Sequence, residues 1–145
     1  MNSSKLVTAG RFLLGAAFTV FGLNGFLHFL PQPPMSGPPA ALIGAFIASG
    51  YLFALVKATE VFAGILLLSG RYVPLALTVL APVLVNILAF HAFLAPAGLA
   101  LPIVLTALEL FLAYAYRDVF APMLAARATP SSAPSSARRP AHAHG

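Results

Sequence analysis

The chain reads as an all-α integral membrane protein: a four-helix antiparallel bundle with a short interfacial helix before its second span and a disordered C-terminal tail. Three observations predict this class. The 145 residues are 60% hydrophobic and only 8% charged, with a mean hydropathy of +0.93, far from the roughly 25% charged residues of soluble domains. The apolar stretches accommodate about four helices of roughly 20 residues each. Lys and Arg alternate between loops as a multi-pass topology requires.

The first span runs over about 11–30 and is closed by the cluster Pro31 to Pro39, because proline lacks the amide donor that a continuing helix needs. Lys5 and Arg11 ahead of this run resemble a signal peptide, but Phe12 to Leu30 exceeds the usual 7–15-residue core and no A-x-A-like site follows. A retained span is the expectation. Ala40 to Gly70 is longer than one upright helix requires, and Ser49-Gly50 is the natural break within it. A short interfacial or re-entrant helix therefore precedes the second span, 51–68, which stops at Ser69-Gly70-Arg71 with Gly as the C-terminal cap.

The third span, 72–94, carries Pro74 at its start, where a missing amide matters little, and Pro82 inside, where the carbonyl of Thr78 loses its partner. Ala95-Pro96-Ala97-Gly98 turns the chain into the fourth span, 101–116. These spans form one membrane domain, 1–124. The remainder, 125–145, is Ala-, Ser-, Pro- and Arg-rich and has too little apolar surface to offset the entropy of ordering.

Lys5 and Arg11 precede the first span, Arg71 lies between the second and third, and Arg117, Arg127, Arg138 and Arg139 follow the fourth. The other two loops have neither residue type. Both termini are therefore expected in the cytoplasm. The net charge of +5 is spread over helix ends and the tail, not along a stripe that could track phosphates, so no nucleic-acid partner is implied. With no cysteine the chain can make no disulfide, thiolate metal site or thiol relay, and any redox role needs a bound cofactor or a partner.

Within the spans the polar residues are Asn24, His28, Lys57, Glu60, Asn86, His91 and Glu109, the candidates for a ligand site. A charge at mid-bilayer costs about 2.5–3.5 kcal/mol even on lenient scales, so each requires a partner, a cavity or a function. At ~1.5 Å per residue, Asn24, Lys57 and Asn86 share one depth about 20 Å from the cytoplasmic ends. Glu60 and Glu109 lie nearer the cytoplasm, and His28 and His91 nearer the outside. Lys57, Glu60 and Gly64 share a helix face, as do Asn24 and His28, and Thr106, Glu109, Ala113 and Tyr116. Asn86 and His91 are about 140° apart and share a face only if a kink or a wide cavity allows it.

One Lys cannot neutralise two carboxylates. Either one carboxyl is protonated, or it pairs with a protonated His or a helix-end Arg such as Arg11; the working expectation is a Lys57–Glu60 pair and an uncharged Glu109. That pair serves equally well as a structural device fixing register, and Asn24 and Asn86 as interhelical hydrogen-bond glue. His28 and His91 have the residue type for bis-imidazole haem ligation, but single histidines near an interface are usually hydrated, so haem is disfavoured. His142 and His144 are too weak a motif to imply a metal. Gly15, Gly22, Gly25 and Gly64 supply packing faces for a neighbouring helix, a partner subunit or a second copy.

Arg11-x3-Gly15, then Phe21-Gly22-Leu23-Asn24-Gly25-Phe26, Lys57-x2-Glu60-x3-Gly64-x-Leu66-Leu67-Leu68 leading to Gly70-Arg71, and Ala81-Pro82-Val83-Leu84-Val85-Asn86-Ile87 with Phe90-His91, together resemble the DoxX-like membrane proteins of bacteria over about residues 6–120. The resemblance implies a four-helix membrane bundle linked to redox balance, as an oxidoreductase subunit or a quinone-binding module. It carries over Lys57, Glu60, Asn86 and His91. On that reading Lys57 or His91 hydrogen-bonds a quinone carbonyl while Glu60 or Glu109 exchanges protons. From another class, the rivals are a transporter or export facilitator for a small solute, and a structural subunit of a membrane complex; no inverted repeat is visible in support of transport.

Overall fold

The structure, a computed structural model, describes residues 3–127. The expected disordered tail and its two histidines lie outside that range, apart from 125–127. Among the described residues every regular element is helical: α1 (Ser3–Leu27), α2 (Gly37–Ala48), α3 (Leu52–Ser69), α4 (Val73–Phe93), α5 (Ala100–Ala115) and the short α6 (Arg117–Phe120), with 3-10 turns at Pro96–Gly98 and Ala121–Leu124. α1, α3 and α4 are long and apolar enough to cross a membrane. α5 reaches that length only together with Arg117–Leu124, from which it is bent by 75°.

Helix α1 begins at Ser3, not near Arg11, because Leu6, Val7 and Ala9 continue the helix through the basic residues that the sequence reading took as its edge. It ends at Leu27, before the expected Leu30. There His28 takes a left-handed φ of 51°, and the Asn24 side-chain oxygen accepts the Leu30 amide at 2.7 Å, supplying an acceptor to an amide beyond the helix. α2 has no buried residue, and Gly50, at a φ of 78°, makes the break that follows it. The Ser49 hydroxyl accepts the Leu52 amide at 2.9 Å and so starts α3. α3 closes on Gly70, left-handed at a φ of 71°, whose amide returns to the Leu67 carbonyl.

α1 packs against α3 and α5, and α4 packs against the same two helices. The core between them is built from residues such as Leu14 and Phe18 of α1, Leu67 of α3, Leu80 of α4 and Leu112 of α5.

The α1–α3 contact is a glycine seam. A methyl on Gly15 would meet Leu67 and the Gly64 carbonyl, one on Gly22 would meet Glu60 and Val61, and one on Gly25 would meet the Lys57 stem. Numbers rise along one helix as they fall along the other, so the two run in opposite directions. Small residues let helix backbones approach this closely, and van der Waals packing, not water exclusion, then holds them. Gly15, Gly22, Gly25 and Gly64 are thus occupied within the chain and present no face to a partner subunit or a second copy, contrary to one sequence expectation.

Candidate functional site

Two polar centres emerge, on different helices and of different character. The first sits in the seam. Lys57 Nζ lies 2.8 Å from Glu60 Oε2 and 3.1 Å from Oε1, the two residues one helical turn apart on α3. The Glu60 side chain is 3% exposed and that of Lys57 22%. Lysine reaches this position by laying its methylenes over Gly25, where no side chain intervenes, and its ammonium also stands 5.9 Å from the centre of the Phe53 ring. Both carboxylate oxygens are taken, so the pair is closed upon itself.

Asn24 is buried close by in sequence to Gly25, but its oxygen is committed to the Leu30 amide. His28, past the helix end and exposed, does not continue the Asn24 face, because the left-handed backbone turns it away. Asn86 is exposed on α4 and enters no side-chain hydrogen bond among the described residues. His91 is half-buried at the end of α4, its Nδ1 2.8 Å from the Ile87 carbonyl and its ring against Gly98 of the following turn. Lys57, Asn86 and His91 thus share no side-chain hydrogen bond with one another among the described residues. The helix-end Arg considered as a counter-ion is elsewhere: Arg11 lies against Gly70, with its guanidinium 5.1 Å from the Phe12 ring centre.

The second centre is Glu109. It is 7% exposed, its Oε2 is buried, and that oxygen has no hydrogen-bond partner among the described residues. Two clefts between α4 and α5 meet at it. One, about 320 Å³, runs toward the bent end of the chain between Leu77, Thr78, Ala113, Phe120 and Met123. The other, about 100 Å³, runs the opposite way between Leu84, Val85, Leu88 and Thr106. Ala81, Glu109 and Leu110 border both. Their walls are almost wholly apolar, and their rims, Leu110 and Val85 among them, are exposed on the outer surface of the helices.

The two hydroxyls on these walls are already used: Thr78 donates to the Pro74 carbonyl at 2.9 Å and Thr106 to the Pro102 carbonyl at 2.7 Å. Pro82, inside α4, has no amide to offer the Thr78 carbonyl. This leaves the Glu109 carboxyl, whose Oε2 has no partner, and the Thr78 carbonyl, which lacks its i+4 helical donor. From the sequence, Glu109 is a candidate and Thr78 is marked by its freed carbonyl, but neither Ala81 nor Leu110 is selected as a lining residue. The contribution of Phe120 and Met123 depends on the 75° bend, which no local motif announces.

No three His, Cys, Asp or Glu side chains come together among the described residues. No family model matches the chain, and no curated protein or solved structure does either.

Proposed function

We propose that this chain is a DoxX-like, four-span antiparallel bundle of the bacterial inner membrane, both termini cytoplasmic, which binds a small lipophilic ligand within the bilayer at Glu109. One observation carries the reading: a buried carboxyl with an unpartnered oxygen sits where two apolar clefts meet. An unpaired carboxyl in hydrocarbon is costly to retain, and ionisable residues of this kind mark ligand or ion pathways in membrane proteins. Apolar concavities with few polar groups are also the usual form of small-molecule sites.

The redox association rests on the resemblance alone, and on this reading the chain supplies a binding module to a membrane redox partner. Lys57–Glu60 becomes the device that fixes the α1–α3 register. The quinone role given to Lys57 and His91 is replaced by a site whose polar contact is Glu109.

The test is extraction in a mild detergent followed by mass spectrometry of bound small molecules. A lipophilic compound should accompany the wild type and be lost from E109Q and from A81F, which fills both clefts. Equal recovery from all three would refute the site. A second reading, export of such a ligand, is favoured by the opposite courses of the two clefts from one shared carboxyl. Ligand efflux from proteoliposomes that is abolished in E109Q would support it, and efflux equal to that of protein-free vesicles would exclude it.

A further inference from the structure

We infer that the ligand class of the Glu109 clefts is the protonated lipophilic amine: a compact apolar body carrying one cationic, hydrogen-bond-donating head. The inference rests on the cleft reading above and adds the chemistry of what fills it.

In its ionised form, which a cationic ligand favours, the Glu109 carboxyl is an acceptor only, and so is the Thr78 backbone carbonyl. The Glu109 carboxyl has a buried oxygen without a donor, and the carbonyl of Thr78, a residue lining the larger cleft, is deprived of its helical partner by Pro82. The potential donors on the walls, the hydroxyls of Thr78 and Thr106, are spent on the carbonyls of Pro74 and Pro102. An ammonium head offers several N–H donors and a positive charge, and so suits either kind of acceptor. A quinone offers two carbonyl acceptors on opposite edges. At most one could receive a proton from Glu109, and the other would stay buried without a donor.

Charge points the same way. The chain's one ion pair among the described residues is Lys57–Glu60, so no cation among those residues pairs with Glu109. The charged or titratable groups on the elements around it are Lys5 and Arg11 on α1, His91 on α4, Tyr114 on α5, and Tyr116, Arg117 and Asp118 at the α5–α6 corner. None of them lines either cleft. Arg117 is turned onto the end of α5, donating to the Tyr114 carbonyl at 3.1 Å with its guanidinium 4.7 Å from the Tyr114 ring centre. The larger cleft, about 320 Å³, is at the lower end of small-molecule sites, roughly 300–1,000 Å³, which limits the body to about a bicyclic ring.

Three probes sharing one ring system separate the possibilities: 1-naphthylmethylamine, which is cationic at neutral pH, 1-naphthylmethanol, and menadione. Binding is measured to the full chain in phosphatidylcholine nanodiscs, with empty nanodiscs subtracted for partitioning. The amine should bind at least about tenfold more tightly than the alcohol, and E109Q should weaken it by about tenfold or more, as expected for loss of a charged hydrogen bond. A81F, which obstructs the clefts and keeps the carboxyl, should also abolish amine binding and serves if E109Q does not fold. Alcohol or menadione binding as tight as that of the amine, and lost in E109Q, would overturn the amine assignment and keep the cleft reading. Amine binding unchanged in both variants would overturn the assignment as well. No probe binding above empty nanodiscs would overturn both.

Discussion

Replacing Gly64 with Ala places a single methyl in the α1–α3 seam, and the consequence can be worked from the coordinates. Its Cβ would stand 2.7 Å from the Thr19 amide nitrogen and 2.9 Å from the Gly15 carbonyl oxygen, and would run into the Thr19 hydroxyl. Cβ atoms essentially never approach heavy atoms within 3.0 Å. Two of these neighbours are helix backbone, which has no rotamer to escape through, so α1 and α3 must part. Overpacking of this kind costs about 1–3 kcal/mol, while Gly→Ala inside a helix contributes about 1 kcal/mol in the other direction. Gly44 of α2 provides the control, because a methyl there meets nothing within 4 Å. G44A therefore senses the helix contribution alone. The difference between G64A and G44A isolates the seam, with an expected loss of about 1–3 kcal/mol. Unfolding by dodecyl sulfate titration from mixed micelles, followed by circular dichroism, measures it. Stabilities equal within about 0.5 kcal/mol would mean that the two helices are not in close contact, and that the packing proposed for Lys57 over Gly25 is wrong with it.

Other perturbations have equally definite outcomes. K57M leaves the Glu60 carboxyl buried and alone, a loss at the low end of about 3–5 kcal/mol because Lys57 is partly exposed, whereas K57M/E60M should recover most of it in the same titration. A K57M protein as stable as the wild type would show the pair to be idle. N24A removes the acceptor of the Leu30 amide, and hydrogen exchange at that amide should accelerate with a stability loss of about 1 kcal/mol; unchanged protection at Leu30 would rule the contact out. Since the chain has no native cysteine, single-cysteine variants report topology directly. Q32C should react with an impermeant maleimide in intact cells, and R71C only after permeabilisation; the reverse pattern would invert the proposed orientation.

How far each feature could be read from the sequence follows from the range of the interactions that decide it. The Ser49-Gly50 break and the Gly70 cap are settled by backbone chemistry within a turn, and both stand where composition places them. The start of α1 was misplaced because Lys5 and Arg11 mark a change of solvent, not the end of a helix, and α1 runs through both. Lys57 and Glu60 pair because they are one turn apart, again a local matter. Asn86 failed as an inward residue because residue type fixes the depth of a side chain, while its direction depends on which face of α4 meets α3 and α5. The clefts at Glu109 depend on non-local packing, on Ala81 leaving room opposite Leu110 and on the bend that brings Phe120 and Met123 beside α4. Nothing in the spacing of Thr106, Glu109 and Ala113 discloses that room, although it correctly puts all three on the packed side of α5.

The two buried carboxyls contrast: Glu60 is closed by Lys57, whereas Glu109 has an unpartnered oxygen and borders two apolar clefts. A hydrophobic carbodiimide, which partitions into hydrocarbon and reacts with carboxyl groups there, reads that contrast in one experiment when the modified residues are identified by peptide mass spectrometry. Modification is expected at Glu109 and suppressed by A81F, with Glu60 spared. Labelling of Glu60 as readily as Glu109, or an unreactive Glu109 in native membranes, would contradict it.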